Sequence, residues 1–588
     1  MNFSSKKIAS PELRLKLESW RSRVVLIGCF GVFALLLGRS FYLQGLHTDF
    51  LQAKGDARIL RVVDMPASRG ALMDRNGKTL AESTAVESVW AAPEDMDPLD
   101  AEQTSKLAAA LGMDKKTVIE KLTTKDKNFV WLKRQMPPDQ ALRVMALKIP
   151  GIFQQREFRR FYPAGDVAAH VIGFTNVEDK GQEGVELAQQ ESLAGSPGQR
   201  RVIKDNKGRI IEDVASLKVP REGKPLNLSI DERLQYIAYK ELKAAVELNK
   251  AKGGALVMLD AHTGEVLAMV NQPDFNPNNR VNVQMAQMRN RSVIDTFEPG
   301  STFKPFAVSA ALEAGIVKPE TVIVTGPGLT IGTKTITDLP HRSDQLTVAE
   351  VIQKSSNIGT AKMALQLPSE LLWNLYTNLG FGVTPKTGFP GEAKGMLRPV
   401  KSWKPIEQAT MAYGYGVSVS AIQLARAYTI FTNDGVLLPV TFLKRDADVI
   451  GKQIISVKTA RIMARMLETV TETGGTASKA RVEGYRVAGK TGTAHKVRNG
   501  EYADGVYLSS FVGFAPVSKP RYIIAVTIDE PSAGKHFGGD VSAPVFASVM
   551  SQALRLAGEA PDSVSREAAA PANPAATRAV VALASGAN

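Results

Sequence analysis

From Val24 to Gly38 the chain carries fifteen consecutive uncharged, mostly apolar residues. Ahead of them stand Lys6, Lys7, Arg14, Lys16, Arg21 and Arg23 against Glu12 and Glu18. This segment constrains the fold most, because a bilayer-spanning stretch divides the chain between two compartments. Fifteen helical residues reach about 22 Å, short of a hydrocarbon core of about 30 Å. Extended to Leu46 the helix reaches about 34 Å, with Arg39 snorkelling toward an interface and Phe41 and Tyr42 anchoring there. A cleaved signal peptide has a similar apolar core, but Gly38-Arg39-Ser40 is a poor small-x-small cleavage site. The expectation is a cytoplasmic basic arm (1–23), an uncleaved transmembrane helix (24–46) and everything later outside the membrane.

At 588 residues the chain has room for two or three domains. The formal charge of +14 is dispersed, with no Lys/Arg stripe interleaved with aromatics, so nucleic acid is not an expected partner. The excess suits a membrane anchor and would favour an anionic extracellular polymer. The single cysteine, Cys29, lies in the apolar segment, which excludes an intramolecular disulfide and a cysteine-based zinc site. The six histidines show no pair at helical ligand spacing, so no metal is expected.

Residues 47–220 read as a mixed α/β region. Ser68–Gly77 contains an Asp-Arg-Asn-Gly hairpin turn, Arg160–Gly165 is rich in turn residues, and Gly184-Val185-Glu186 opens a helical run. Arg69, Arg160 and Glu186 read as buried structural pairs, since no nucleophile with a base stands nearby. Composition shifts at Arg221–Pro225, which places a domain boundary there. Beyond it, Asp231 is a helix N-cap, and Ala255–Leu259 with Glu265–Met269 form a hairpin across a Thr-Gly turn. Phe306–Ala314 supplies the core face of a helix, Val506–Phe514 and Tyr522–Ile528 are strands, and Val545–Leu556 is a closing helix. Strands flanking a helical middle make residues 221–557 an α+β domain. Residues 558–588, rich in Ala and Pro, read as a disordered tail.

Three short patterns in this domain carry chemistry. Ser301-Thr302-Phe303-Lys304 follows Pro299-Gly300, so a serine and a lysine share one face of a starting helix. An amine held against a hydroxyl can take its proton. The same spacing at Ser4/Lys7 and Ser532/Lys535 lacks a helix start outside the membrane. Ser355-Ser356-Asn357 places a hydroxyl and an amide on a turn between helices. Lys490-Thr491-Gly492-Thr493 ends an apolar strand, where a lysine, hydroxyls and a close-approach glycine suit a substrate carboxylate. A second copy, Lys386-Thr387-Gly388, lies between Pro385 and Pro390 and reads as a loop.

Ser-x-x-Lys, Ser-x-Asn and Lys-Thr-Gly in this order resemble the triplet of penicillin-binding proteins and serine β-lactamases. Pro66–Gly70 with Asp74–Gly77, Arg160–Pro163 and Gly181–Glu186 are similar to the pedestal motifs of class B penicillin-binding proteins. Arg289–Ser292, Phe297–Ser301, Lys354–Ile358 and Gly538–Phe546 resemble the division-specific branch of that class.

The resemblance implies a penicillin-binding/β-lactamase-like domain on a pedestal (47–220), located in the periplasm beyond the inner membrane. It implies a D,D-transpeptidase that cross-links the D-Ala-D-Ala ends of peptidoglycan stem peptides and is acylated by β-lactams, with no cofactor. Ser301 would be the nucleophile and Lys304 its base, kept neutral by burial and by the nearby charge of Lys490. Ser355 would relay protons, and Asn357 would bind the substrate amide and steady Lys304. Ser301 and Thr493 N–H groups would form the oxyanion hole, while Lys490, Thr491, Gly492 and Thr493 would hold the carboxylate. Tyr415, Tyr507 and Phe511 line either the cleft or the core. Glycan polymerisation would come from a partner, FtsW, alongside other division proteins. A D,D-carboxypeptidase and a non-catalytic β-lactam-binding scaffold or sensor are the alternatives. A β-lactamase is disfavoured because Glu370, the apparent match to a deacylating glutamate, reads as helix surface.

Overall fold

The computed structural model describes residues 18–50, 53–54, 60–123, 129–204, 210–338, 343–498 and 500–563. Ser4, most of the basic arm and most of the Ala/Pro tail lie outside the described residues. Ser19–Gly45 is helical and, by length and composition, able to cross a membrane. None of Ser19–Phe41 is buried against the rest of the chain, and the Arg39 guanidinium sits over the Tyr42 ring.

The pedestal is built on one long strand, Thr79–Ala91, which pairs antiparallel with Leu72–Met73, Val130–Met136 and Ile152–Phe161. The turn before it is the expected one, because Asp74 Oδ1 accepts from the N–H groups of Asn76 and Lys78 at 2.7 and 2.8 Å. Leu107, Leu111, Val118, Leu132 and Val144 form a separate core against this sheet. A second, mostly exposed sheet pairs Leu60–Met65, Gly198–Lys204 and Ile210–Lys218.

The expected structural trio is present: Glu186 takes Arg69 on one carboxylate oxygen and Arg160 on the other, with all three side chains at 0–1% exposure. Arg160 also donates to the Gly70 carbonyl at 2.8 Å, so the trio ties the strand, the chain entry and the Gly184 helix into one unit.

The composition break at Arg221–Pro225 lies just ahead of the structural crossover. Leu226–Asn227 still belongs to the pedestal, pairing parallel with Leu72–Met73, and Leu228 then bridges to Leu443 in the larger domain. That domain contains helix α1 (Glu232–Leu248), strands β1 (Gly253–Asp260) and β2 (Val266–Gln272), and helices α2 (Lys304–Glu313) and α3 (Asn357–Leu365). Strands β3 (Ala488–Arg498), β4 (Glu501–Ala515) and β5 (Tyr522–Asp529) and helix α4 (Gly538–Ala557) complete it. The strands form one antiparallel sheet in the order β2-β1-β5-β4-β3. Helices α1 and α4 pack on the sheet from the termini of the domain, and the helical middle closes over it. With every residue of β1, β2 and β5 buried, their sequences run apolar instead of alternating.

Asp231 caps α1 as expected, accepting from Arg233 N at 3.0 Å. Two elements differ from the sequence reading. Helix α2 is buried on all sides from Lys304 to Ala311, so it is a central helix with no exposed face. Helix α4 begins at Gly538, seven residues early, because Gly538 and Gly539 dock against β3 and β4 where a side chain would collide with the Gly492, Ser510 and Thr476 carbonyls.

The two domains meet at His170. Its Nε2 donates to the Gln287 carbonyl at 2.7 Å, and its own carbonyl accepts from Asn290 Nδ2 at 3.0 Å. Burial pushes its pKa down to about 4, so the folded protein holds it neutral. The unfolded chain therefore binds the extra proton first, and stability falls as pH drops from about 6.5 to about 4. The His170 contribution to that loss is up to about 3 kcal/mol. Denaturant titrations at pH 7.5 and 4.5 should show His170→Gln flattening this slope; an unchanged slope would mean that another group carries it.

Candidate active site

Ser301 sits in a 3-10 turn, Gly300–Phe303, that leads directly into α2 with Pro305 in its first helical turn. The turn is fixed from behind. Phe303 packs among Phe306, Tyr376 and Phe381 at ring separations of 4.7–5.3 Å, and the buried Tyr428 hydroxyl donates to the Thr302 carbonyl at 2.8 Å. In front, Gly300 N donates to the Gly414 carbonyl at 3.1 Å, and any Cβ on Gly414 would lie 2.1 Å from the Gly300 oxygen. The Gly-Tyr-Gly stretch is thus a backbone clamp on the serine turn.

Lys304 has no solvent exposure. Its Nζ donates to the Ser355 carbonyl at 2.6 Å and to Ser355 Oγ at 3.1 Å, so the first two motifs meet at this amine. Ser355 reaches it from the left-handed region (φ 58°), between helix Val348–Gln353 and α3. Asp338 holds that turn, taking hydrogen bonds from Ser356 Oγ and from the N–H groups of Asn357 and Ile358. Asn357 Nδ2 donates to the Thr337 carbonyl at 3.0 Å.

The third motif lies on edge strand β3. A Cβ on Gly492 would stand 2.9 Å from both the Pro299 carbonyl and Thr302 Cγ2, so glycine is what lets the strand approach the serine turn. Lys490 is fully buried, with Nζ 3.4 Å from the Thr491 carbonyl, and Thr491 Oγ1 lies 2.9 Å from Thr476 Oγ1. Thr493 Oγ1 accepts from Gly538 N at 3.1 Å, the first residue of α4. The positive end of a twenty-residue helix therefore abuts the Lys490–Thr493 strand.

The aromatic residues divide. Tyr415 faces Tyr502 and Tyr413 at 5.7 and 5.8 Å, and burial raises its pKa. Tyr507 stacks on His536 at 4.1 Å and meets the tilted His495 ring at 4.6 Å. Phe511 is a correction: it has 0% exposure and packs against Phe546 under the sheet, so it belongs to the core and lines no cleft. The second copy of the tripeptide is the expected loop, with Lys386 and Thr387 N–H groups bound by Glu392. Glu370 is exposed on helix Ser369–Asn378.

Sequence reading missed Asp338, Thr476, Tyr428 and His536, whose partners at the site stand between 15 and 126 residues away in the chain. It also missed Glu298, three residues before the serine. Glu298 Oε1 accepts from Gly416 N at 2.7 Å and from the Tyr502 hydroxyl at 3.3 Å, and burial raises its pKa. The Glu-Pro-Gly-Ser run was visible, but nothing local marked the glutamate as a brace between the Gly-Tyr-Gly clamp and the β3–β4 hairpin.

A five-stranded antiparallel sheet with a serine turn, a buried lysine and a Lys-Thr-Gly edge strand defines the class of active-serine, penicillin-recognising proteins. The model of the penicillin-binding protein transpeptidase domain matches residues 254–551, and that of the penicillin-binding protein dimerisation domain matches 64–228. A probable peptidoglycan D,D-transpeptidase PenA of Neisseria gonorrhoeae is 44% identical over 544 residues, 92% of this chain and 93% of that protein. The peptidoglycan D,D-transpeptidase FtsI of Escherichia coli is 42% identical over 556 residues, 93% of each. The transpeptidase domain of Burkholderia pseudomallei penicillin-binding protein 3 superposes with a TM-score of 0.53 at 48% identity, covering 57% of this chain and 97% of that one. The chain belongs to the class B penicillin-binding proteins, with the dimerisation-type pedestal and the transpeptidase domain both present.

Proposed function

We propose that the protein is the peptidoglycan D,D-transpeptidase of cell division, acting through a serine acyl-enzyme on Ser301. The observation that carries this is the convergence of the three motifs. Lys304 Nζ bonds Ser355 from one side of the serine turn, and Gly492 approaches the same turn from the other. Two relatives named as D,D-transpeptidases, similar over nine-tenths of the chain, support the substrate class.

In this reading the Ser301 hydroxyl proton passes to Lys304 as Oγ bonds to the penultimate carbonyl of a D-Ala-D-Ala stem. A buried amine disfavours its charged form, which suits it to accept that proton. The N–H groups of Ser301 and Thr493 carry the oxyanion. The C–N bond then breaks, and the proton returns through Ser355 to the departing D-alanine. An amine from a second stem attacks the ester, gives up a proton to the same base and releases Ser301 as the cross-link forms. Lys490, Thr491 and Thr493 bind the terminal carboxylate, aided by the positive end of α4. Asn357 binds the substrate amide. Tyr415 and Tyr507 flank the cleft.

A D,D-carboxypeptidase would use water as acceptor. Incubation with donor and acceptor peptides separates the two: cross-linked dimer is expected, and free D-alanine without dimer would contradict transpeptidation. We further place residues 24–46 in the inner membrane with the catalytic domain periplasmic, in contact with a glycan-polymerising partner such as FtsW. Exchanging residues 24–46 for an unrelated membrane helix should abolish division function while penicillin acylation persists; full function with the foreign helix would contradict that contact.

A further inference from the structure

The approach to the serine turn, Phe297 to Gly300, runs antiparallel to 414–419. Phe297 and Val419 exchange both backbone hydrogen bonds at 3.0 Å, and Gly300 N donates to the Gly414 carbonyl at 3.1 Å. Between these ties Pro299 interrupts the ladder, having no N–H. The Gly416 N–H finds its acceptor in a side chain, Glu298 Oε1, at 2.7 Å. The carboxylate therefore fills the gap in a run of ties that ends at Ser301.

The same oxygen accepts from the Tyr502 hydroxyl at 3.3 Å. Tyr502 stands opposite Val497 at the outer end of the β3–β4 hairpin. One oxygen thus joins three elements: the serine turn, the Gly-Tyr-Gly stretch, and the hairpin whose edge strand carries Lys490–Thr493. Tyr415 lies between two glycines of positive φ, Gly414 (86°) and Gly416 (76°), and its ring meets Tyr502 at 5.7 Å. Packing alone does not call for a glutamate at this position. Burial raises its pKa, and Oε2 is buried with no hydrogen-bond partner among the described residues. An apolar side chain of similar length would avoid both costs. What glutamate adds is the acceptor.

We infer that Glu298 is a positioning residue for acylation, its Oε1 fixing the serine turn against the Gly-Tyr-Gly stretch and the β3–β4 hairpin. It touches no reacting atom. This role rests on the acyl-enzyme reading and deepens it. The two N–H groups that carry the oxyanion in that reading, those of Ser301 and Thr493, lie on two of the three elements this oxygen joins. Both must reach the same oxyanion, and a shift of about 1 Å is enough to cost about a hundredfold in rate.

The test is acylation of the full chain by a chromogenic cephalosporin, followed by stopped flow over a range of concentrations. This separates the acylation rate constant k2 from the binding constant K′. Glu298→Met keeps the length of the side chain and removes the acceptor. It should lower k2 at least about tenfold and change K′ less than about threefold, since the Lys490–Thr493 carboxylate site is untouched. Glu298→Gln keeps an oxygen acceptor and should hold k2 within about threefold of wild type. A merely structural role would instead lower the melting temperature of Glu298→Met and leave its k2 unchanged. Tyr502→Phe is the third variant. Tyr502 is 51% exposed, so this variant folds whatever the fate of Glu298→Met, and losing one weak hydrogen bond should lower k2 about threefold. A wild-type k2 in Glu298→Met or Tyr502→Phe, or a k2 in Glu298→Gln about tenfold or more below wild type, would overturn the inference. A wild type that is not acylated at all would contradict the acyl-enzyme reading itself, and this role with it.

Discussion

Lys304→Met should lower the second-order rate of penicillin acylation by about a thousandfold, within the range that a positioned general base contributes. Methionine fills a similar volume and suits the fully buried site, so thermal unfolding should move little. What disappears is the group that bonds Ser355 Oγ at 3.1 Å and stands one helical turn from Ser301. Lys304→Arg separates base from charge. Guanidinium is always charged and can donate to the Ser355 carbonyl, but it does not deprotonate in proteins and so cannot accept the Ser301 proton. It should therefore fail almost as completely. Stopped-flow acylation with a chromogenic cephalosporin measures both variants. An arginine variant within about tenfold of wild type would make Lys304 an electrostatic support and move the base elsewhere.

Glu186→Ala should destabilise the pedestal by about 3–5 kcal/mol, the usual result of stranding buried charge. The carboxylate is shared by two guanidinium groups, and all three side chains are shut off from water. Removing it leaves Arg69 and Arg160 on neutral partners, Gln190 Oε1 for Arg69 at 2.9 Å and Ser83 Oγ for Arg160 at 3.1 Å, with Asp179 the carboxyl left to act on both. Glu186→Gln keeps the shape and part of the hydrogen bonding but not the charge, and should fall between the two. Urea unfolding followed by the fluorescence of Trp90 and Trp131, both pedestal residues, reads the effect. A loss below about 1 kcal/mol would show the trio to be no more than a surface ion pair in energetic terms.

Much of this was legible in the sequence because the informative residues are local. Ser301 and Lys304 share one turn of chain, Asp231 caps the helix that follows it, and Asp74 closes its own hairpin. The three motifs could be ordered and matched to strand or helix without coordinates. What could not be read was which faces are covered. Phe511 alternates on β4 like a cleft residue, yet α4 lies over that face and buries it against Phe546. Helix α4 itself starts early because of glycine contacts with a strand some 45 residues upstream in sequence, between Gly538 and Thr493. Asp338 and Glu298 brace the site through partners 19 and 118 residues away, and no spacing rule connects such pairs.

The proposed mechanism depends on Ser301 being the acylated nucleophile. Intact-mass analysis after benzylpenicillin, followed by peptide mapping, tests it most directly. A single adduct of one penicillin per chain is expected on the peptide containing Ser301, absent in Ser301→Ala. An adduct on another residue, or labelling that survives in Ser301→Ala, would contradict it.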